Sequence, residues 1–245
     1  MEILKYYEFI NESEQKRQAY IEKYCKEITP LPQETKTFKE IYNELAKIGK
    51  YKETIKSINA GNAAIVGIRR KLQERKNTPE KYIDSIYFIP KNANKKNPKI
   101  TSFQATTVPS VAWFDHDVAI LDDGEYRFKI GTHTFGSLNK TIPALVPDIP
   151  GLSPKEIKVN RFSKKDDEVN TYDPPKKDMG TSTNFHYGLM PKGLKQSKNI
   201  PCVGGYSAGC QVIPTEEKWN EFWELVKNSG QKVFWYSIIE EDKIK

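Results

Sequence analysis

Cysteine and histidine are both scarce, with three of each in 245 residues, and the scarcity narrows the chemistry. Cys25, Cys202 and Cys210 are too few and too far apart for a disulfide framework, and none belongs to a Cys-x-x-Cys pair. His116, His133 and His186 are equally dispersed, so a metal would have to draw ligands from the whole chain; no metal or other cofactor is expected. No apolar run approaches the roughly 18 residues that cross a bilayer, so a soluble chain without a transmembrane segment is expected. The amino terminus, Met1 to Glu8, is charged within its first five positions and has no continuous apolar segment before a small-residue cleavage site. On that reading there is no secretory signal. Zinc-finger spacing and RNP-like aromatic motifs are missing too, so the formal charge of +7 is not read as a nucleic-acid footprint. It suits an anionic partner of another kind. The denser lysine runs, Lys91 to Lys99 and Lys155 to Lys165, read as solvated loops.

At this length the chain holds one large or two small domains with a sizeable core. Apolar residues between Glu2 and Glu27 recur loosely at helical spacing, and Thr29-Pro30-Leu31-Pro32 interrupts them. A helix is expected from about Thr37, with Phe38, Ile41, Tyr42, Leu45 and Ile48 on one face and Gly49 as its stop. Beyond Asn59 short apolar runs alternate with turn residues. Strands are expected at Ala63 to Ile68, Tyr87 to Ile89, Thr101 to Thr107, Val118 to Leu121 and Tyr126 to Ile130. Pro143 to Gly180 reads as a long irregular excursion, either walling one side of a cleft or a disordered loop of no consequence. Thr215 caps a helix carrying Trp219, Phe222, Trp223 and Val226, closed by Gly230, and Val233 to Ile239 is a last strand. The expected class is α+β: a helical N-terminal region, 1–57, followed by a β-rich domain, 58–245.

The stretch Gly204-Gly-Tyr-Ser-Ala-Gly-Cys-Gln-Val-Ile213 places Cys210 between small residues at the start of an apolar run. A nucleophilic thiol needs room for a carbonyl on one side and backbone N–H donors on the other, and Gly209 lets the main chain approach without a Cβ. Asn184-Phe-His-Tyr-Gly188 supplies His186, an imidazole that would hold the thiol proton. Read from residue types alone, Cys210 is either such a nucleophile or an inert buried small hydrophobe.

Ser207-Ala-Gly-Cys-Gln-Val212, preceded some two dozen residues earlier by the His186 segment, resembles the catalytic signature of L,D-transpeptidases, the cysteine enzymes that remodel peptidoglycan cross-links. The family's usual pattern is Ser-His-Gly-Cys followed closely by Arg or Asn. Ala208 and Gln211-Val212 depart from it and are closer to a divergent branch, found in phage and bacterial proteins, that carries Ser-Ala-Gly-Cys-Gln-Val. Segments similar to that branch, Ile65-Val-Gly-Ile-Arg69, Ala105-Thr-Thr107 and Gly131-Thr-His133, precede the His and Cys in the same order. The resemblance covers roughly residues 58 to 240. It implies a β-rich catalytic domain without a cofactor, with Cys210 as nucleophile, His186 as base, backbone N–H groups of Gly209 and Cys210 around the oxyanion, and the carbonyl of Tyr187 orienting the imidazole. His133 would line the substrate pocket or be structural, Ser207 would shape the loop or sit in an ordinary turn, and Arg69 would meet a substrate carboxylate or a structural salt-bridge partner. The substrate would be the peptidoglycan stem peptide, transferred to an amine or to water, and the site of action the periplasm or cell wall. Without a visible signal, the protein would arrive by phage lysis or as a delivered antibacterial effector with its secretion machinery and an immunity protein, or its signal has been removed. The alternative is a wall-binding protein that keeps the fold without the activity.

Overall fold

A computed structural model describes residues 35–70, 82–96, 98–109, 118–135, 140–148, 156–162, 176–181, 183–188, 207 and 209–244. The helices expected between Glu2 and Glu27, and with them Cys25, His116, Cys202 and Ala208, lie outside the described residues.

The first described element is helix α1, Phe38–Ile48. Its start is written in Thr37 and Glu40: the Thr37 hydroxyl accepts the Glu40 N–H, and the Glu40 carboxylate takes the Thr37 N–H in return, a capping box worth about 1 kcal/mol. Gly49 ends it in the left-handed conformation, its N–H bonded to the Leu45 carbonyl. Phe38, Ile41 and Leu45 face inward. Helix α2, Lys52–Asn59, runs past the expected boundary at 57. Both helices share one core cluster with strand residues such as Val66, Ile68, Tyr87 and Ile239, so the described part of the N-terminal region packs directly on the sheet.

That sheet has eight strands, β1 (Ala64–Arg69), β2 (Asp84–Ile89), β3 (Thr101–Ala105), β5 (Gly124–Phe135), β6 (Lys140–Pro147), β9 (Phe185–Tyr187), β10 (Gln211–Ile213) and β11 (Val233–Glu240), in the order β10-β9-β6-β5-β11-β1-β2-β3. The pairs β1–β11 and β9–β10 are parallel and the rest antiparallel. The two outer strands nearly meet: just beyond β3, Thr106 exchanges both backbone hydrogen bonds with Val212 of β10, at 2.9 and 3.0 Å. The result is a strand-rich α+β fold with an almost closed, barrel-like sheet. A short helix, α3 (Ala93–Lys96), follows β2, and β4 (Val118–Ile120), β7 (Glu156–Phe162) and β8 (Lys176–Thr181) form a second sheet.

Helix α4, Glu216–Asn228, is capped by Thr215 as expected, and Trp219, Phe222 and Val226 enter the main core. Phe222 sits edge-on to Phe103 and stacks on Phe185, with centroids at 5.5 and 5.9 Å. Full burial of such a side chain is worth about 1.5–3 kcal/mol, so α4 is held to the sheet by its aromatic face. None of the described helices is long and apolar enough to cross a membrane.

The region from 143 to 180 departs from its expected irregularity. Strand β6 continues through Pro143 and Pro147, paired with Thr132 and Phe128, and β7 and β8 form a hairpin further on. Proline removes one donor without preventing extended structure, and Ile157 and Val159 alternate into the core between polar residues.

Candidate active site

Cys210 immediately precedes β10, and β10 runs parallel to β9 with Val212 beside His186. Gln211 N–H donates to the Asn184 carbonyl at 2.8 Å, and Gly188 N–H to the Ile213 carbonyl at 3.0 Å. Strand alternation sends Phe185 and Tyr187 into the main core and leaves Asn184 and His186 on the opposite face. Cys210 shares that face: its sulfur and one ring nitrogen each from His133 and His186 lie within 4.8 Å of one another.

The imidazole of His186 is fully buried, and its Nδ1 lies 2.8 Å from the Tyr187 carbonyl. A carbonyl only accepts, so Nδ1 carries the proton and Nε2 holds the lone pair in the neutral ring. Tyr187 is itself anchored, donating from its hydroxyl to Glu216 at the start of α4 (3.1 Å) and accepting from Lys140 (3.2 Å). Burial holds His186 far below the usual histidine range, at about 3; the neighbouring His133 adds to the effect, and the Tyr187 hydrogen bond opposes it. Burial pushes the Cys210 thiol up to about 11, against a lowering contribution from the Asn184 backbone N–H. At neutral pH the pair therefore rests as thiol and neutral imidazole.

Ser207 ties the loop before Cys210. Its hydroxyl donates to the Cys210 carbonyl at 2.7 Å and accepts the Gly209 N–H at 3.3 Å. Both contacts are buried and internal to the loop, which makes Ser207 a brace. The Gly209 N–H, expected to face the oxyanion, is thus already shared with Ser207 through a long bond. Arg69 is turned inward: it donates to the Glu240 carboxylate (2.7 Å), to the Thr107 hydroxyl and carbonyl (2.9 and 3.3 Å) and to the Leu121 carbonyl (2.7 Å). That is the structural salt bridge of the two roles considered for it. His133, on β5, is half-buried; it stacks on His186 with centroids 4.2 Å apart and planes 11° off parallel, and its Nδ1 lies 2.9 Å from Asn184 Nδ2.

Two histidines and a cysteine this close offer two imidazole nitrogens and one sulfur, a donor set of the kind zinc takes, which the dispersed sequence positions did not foretell. The stacking argues against joint ligation. Nearly parallel imidazoles aim their in-plane lone pairs side by side, so one ring would have to turn before both met a single ion.

The chain matches no family model, no curated protein and no solved structure.

Two residues at the site carry more than the sequence suggested. Asn184 touches the Cys210 strand through its backbone and His133 through its side chain; its spacing of two from His186 on a strand was the available signal. Gln211, a polar residue opening an apolar run, is fully buried: its Oε1 accepts from the Tyr236 hydroxyl at 2.9 Å and its Nε2 donates to the Gly209 carbonyl at 3.3 Å. Gly67 makes this possible, because a Cβ there would fall 2.5 Å from the Tyr236 hydroxyl oxygen. Gln211→Leu is expected to cost about 1–3 kcal/mol, since it strands the buried tyrosine hydroxyl. Adding Tyr236→Phe should restore part of the loss, a non-additivity readable from urea midpoints in a double-mutant cycle.

Proposed function

We propose that the protein is a cysteine acyltransferase of L,D-transpeptidase type acting on peptidoglycan stem peptides. The observation that carries this reading is the Tyr187–His186–Cys210 arrangement: a carbonyl fixes Nδ1–H at 2.8 Å, which makes Nε2 the basic nitrogen of a ring that has one nitrogen within 4.8 Å of the Cys210 sulfur. That is the order of orienting group, base and nucleophile that covalent acyl transfer needs.

In the first half-reaction His186 takes the Cys210 proton as the sulfur attacks the scissile carbonyl. The tetrahedral oxyanion draws on the backbone N–H groups of Cys210 and Gly209, the latter exchanging its long bond to Ser207 for the substrate. Collapse expels the amine, which receives the proton from His186 and leaves a thioester. In the second, an acceptor amine or water gives its proton to His186 and attacks the thioester, and the Cys210 thiolate departs and recovers a proton. An amine acceptor yields a cross-link; water yields carboxypeptidase or endopeptidase activity. The site of action is the periplasm or cell wall, reached by delivery or lysis, with a secretion apparatus and an immunity protein as partners in the effector case.

A second reading is a wall-binding protein without turnover. The observation favouring it is the thiol itself, buried and held neutral with its ordinary pKa pushed up to about 11.

Mass spectrometry of purified muropeptides incubated with wild type and with Cys210→Ala separates the two. Cross-linked or trimmed stem peptides that vanish in the variant support the enzyme, and their masses separate transfer from hydrolysis. Unchanged muropeptides, with both proteins co-sedimenting with purified insoluble peptidoglycan, support the binding reading.

A further inference from the structure

Asn184, beside the His133–His186–Cys210 cluster, has hydrogen bonds that do not close. Its carbonyl accepts from Gln211, its backbone N–H favours the Cys210 thiolate, and its side-chain Nδ2 sits against His133 Nδ1. The remaining atom, Oδ1, is buried in a residue 3% exposed and has no hydrogen-bond partner among the described residues. An amide oxygen left dry costs about 1–3 kcal/mol. Exchanging the two ends of the carboxamide does not remove the problem, because the other end is then stranded.

The position of this oxygen says what would satisfy it. The carboxamide nitrogen lies 2.9 Å from His133, which belongs to the His133–His186–Cys210 cluster, and the backbone carbonyl of Asn184 bonds the residue after Cys210, so the side chain forms part of the wall around that cluster. A carbonyl under attack by Cys210 brings with it the N–H of its own residue, two bonds from the reacting carbon. An acceptor-only oxygen recognises such a donor and not a carbonyl or an ether. We infer that Asn184 Oδ1 accepts the N–H of the residue whose carbonyl Cys210 attacks, so that the site takes acyl donors carrying a secondary amide at that position. The inference rests on the acyl-transfer reading and adds to it a named contact and a substrate requirement. Asn184 is then a substrate-binding group, and the stacked His133 positions it.

The test compares two synthetic stem peptides that differ only at that N–H, one with the amide and one with an ester oxygen in its place, in kcat/KM assays. Wild type is expected to prefer the amide donor by about 10–100-fold, as one buried hydrogen bond allows. Asn184→Ala should lose the amide advantage, bringing the ratio near one. Asn184→Asp, which keeps an acceptor oxygen and pairs with the Nδ1–H form of His133, should retain most of it and shows that the fold survives replacement. A ratio that stays the same in wild type and Asn184→Ala, whatever the absolute rates, overturns the inference while leaving the acyl-transfer reading intact; it would mean that Oδ1 holds a structural water. If wild type processes neither donor, or Cys210→Ala processes both as well as wild type, the inference and the underlying reading fall together.

Discussion

Gly209→Ala is expected to destabilise the protein by about 3 kcal/mol or more and to lower turnover by at least about 100-fold. Two independent effects act on this one residue. Gly209 has φ +143°, a conformation that side chains rarely adopt, and a Cβ built there would lie 2.6 Å from the backbone oxygen of Ala119 on β4. That oxygen belongs to a strand paired with β7, so it has little freedom to withdraw. Relief must come from the loop itself, and the loop is where Cys210 sits: Ser207 bonds the Cys210 carbonyl and Gln211 bonds the Gly209 carbonyl. Any displacement therefore moves Cys210 relative to His186. Urea unfolding gives the stability change and muropeptide turnover the catalytic one. Ala119→Gly in the same background removes the 3.2 Å side-chain contact and leaves the 2.6 Å backbone clash, so it should rescue little. Wild-type stability and activity in Gly209→Ala would show that the loop does not have this geometry.

The parts of the fold legible in the sequence were those set by local chemistry. Thr37 with Glu40 and Gly49, and Thr215 with Gly230, delimit helices because caps act within one turn. The apolar run around Ile65 reads as a strand because it is buried on both faces, and the run through Ile238 because it is mostly β-branched and aromatic. Strand β6 was not legible, since Pro143 and Pro147 are loop signals until a partner strand holds them extended. Strand β9 is three residues long, too short for any period to show. At the site, residue types alone picked out Cys210 and His186, because a thiol and an imidazole in small-residue surroundings are informative wherever they occur. Asn184 and Gln211 were not separable from ordinary polar residues, as their roles come from contacts across strands: Asn184 with His133 51 positions away, Gln211 with Tyr236 25 positions away. The three segments that resembled the L,D-transpeptidase branch converge on the same region. Gly67 admits the Tyr236 ring, Thr106 pairs with Val212, and His133 stacks on His186.

His186→Gln is expected to cost about 10²–10⁴-fold in kcat/KM, the range for a lost general base, and to change the acid stability in the opposite sense. In the unfolded chain the imidazole titrates near its ordinary value of about 6.5. In the folded protein burial keeps it neutral down to about 3. Between those limits the unfolded state binds the extra proton, so wild-type stability falls as pH is lowered, by up to about 1.4 kcal/mol per pH unit from this residue. Glutamine fills a similar volume and binds no proton, so its urea midpoint should fall less steeply below pH 6. The variant, no more stable than wild type at pH 7, should gain on it steadily toward pH 4. Parallel stability curves for the two proteins would show that His186 is not held neutral by burial. The same cause shapes the rate profile. With the imidazole neutral down to about 3 and the thiol protonated up to about 11, the reactive pair keeps one protonation state across the neutral range. Wild-type kcat/KM should then be flat from about pH 5 to 9, where a histidine with its ordinary pKa of about 6.5 would impose an inflection. Such an inflection, abolished in His186→Gln, would show that the imidazole of the free protein titrates as an ordinary histidine and is not held neutral by burial.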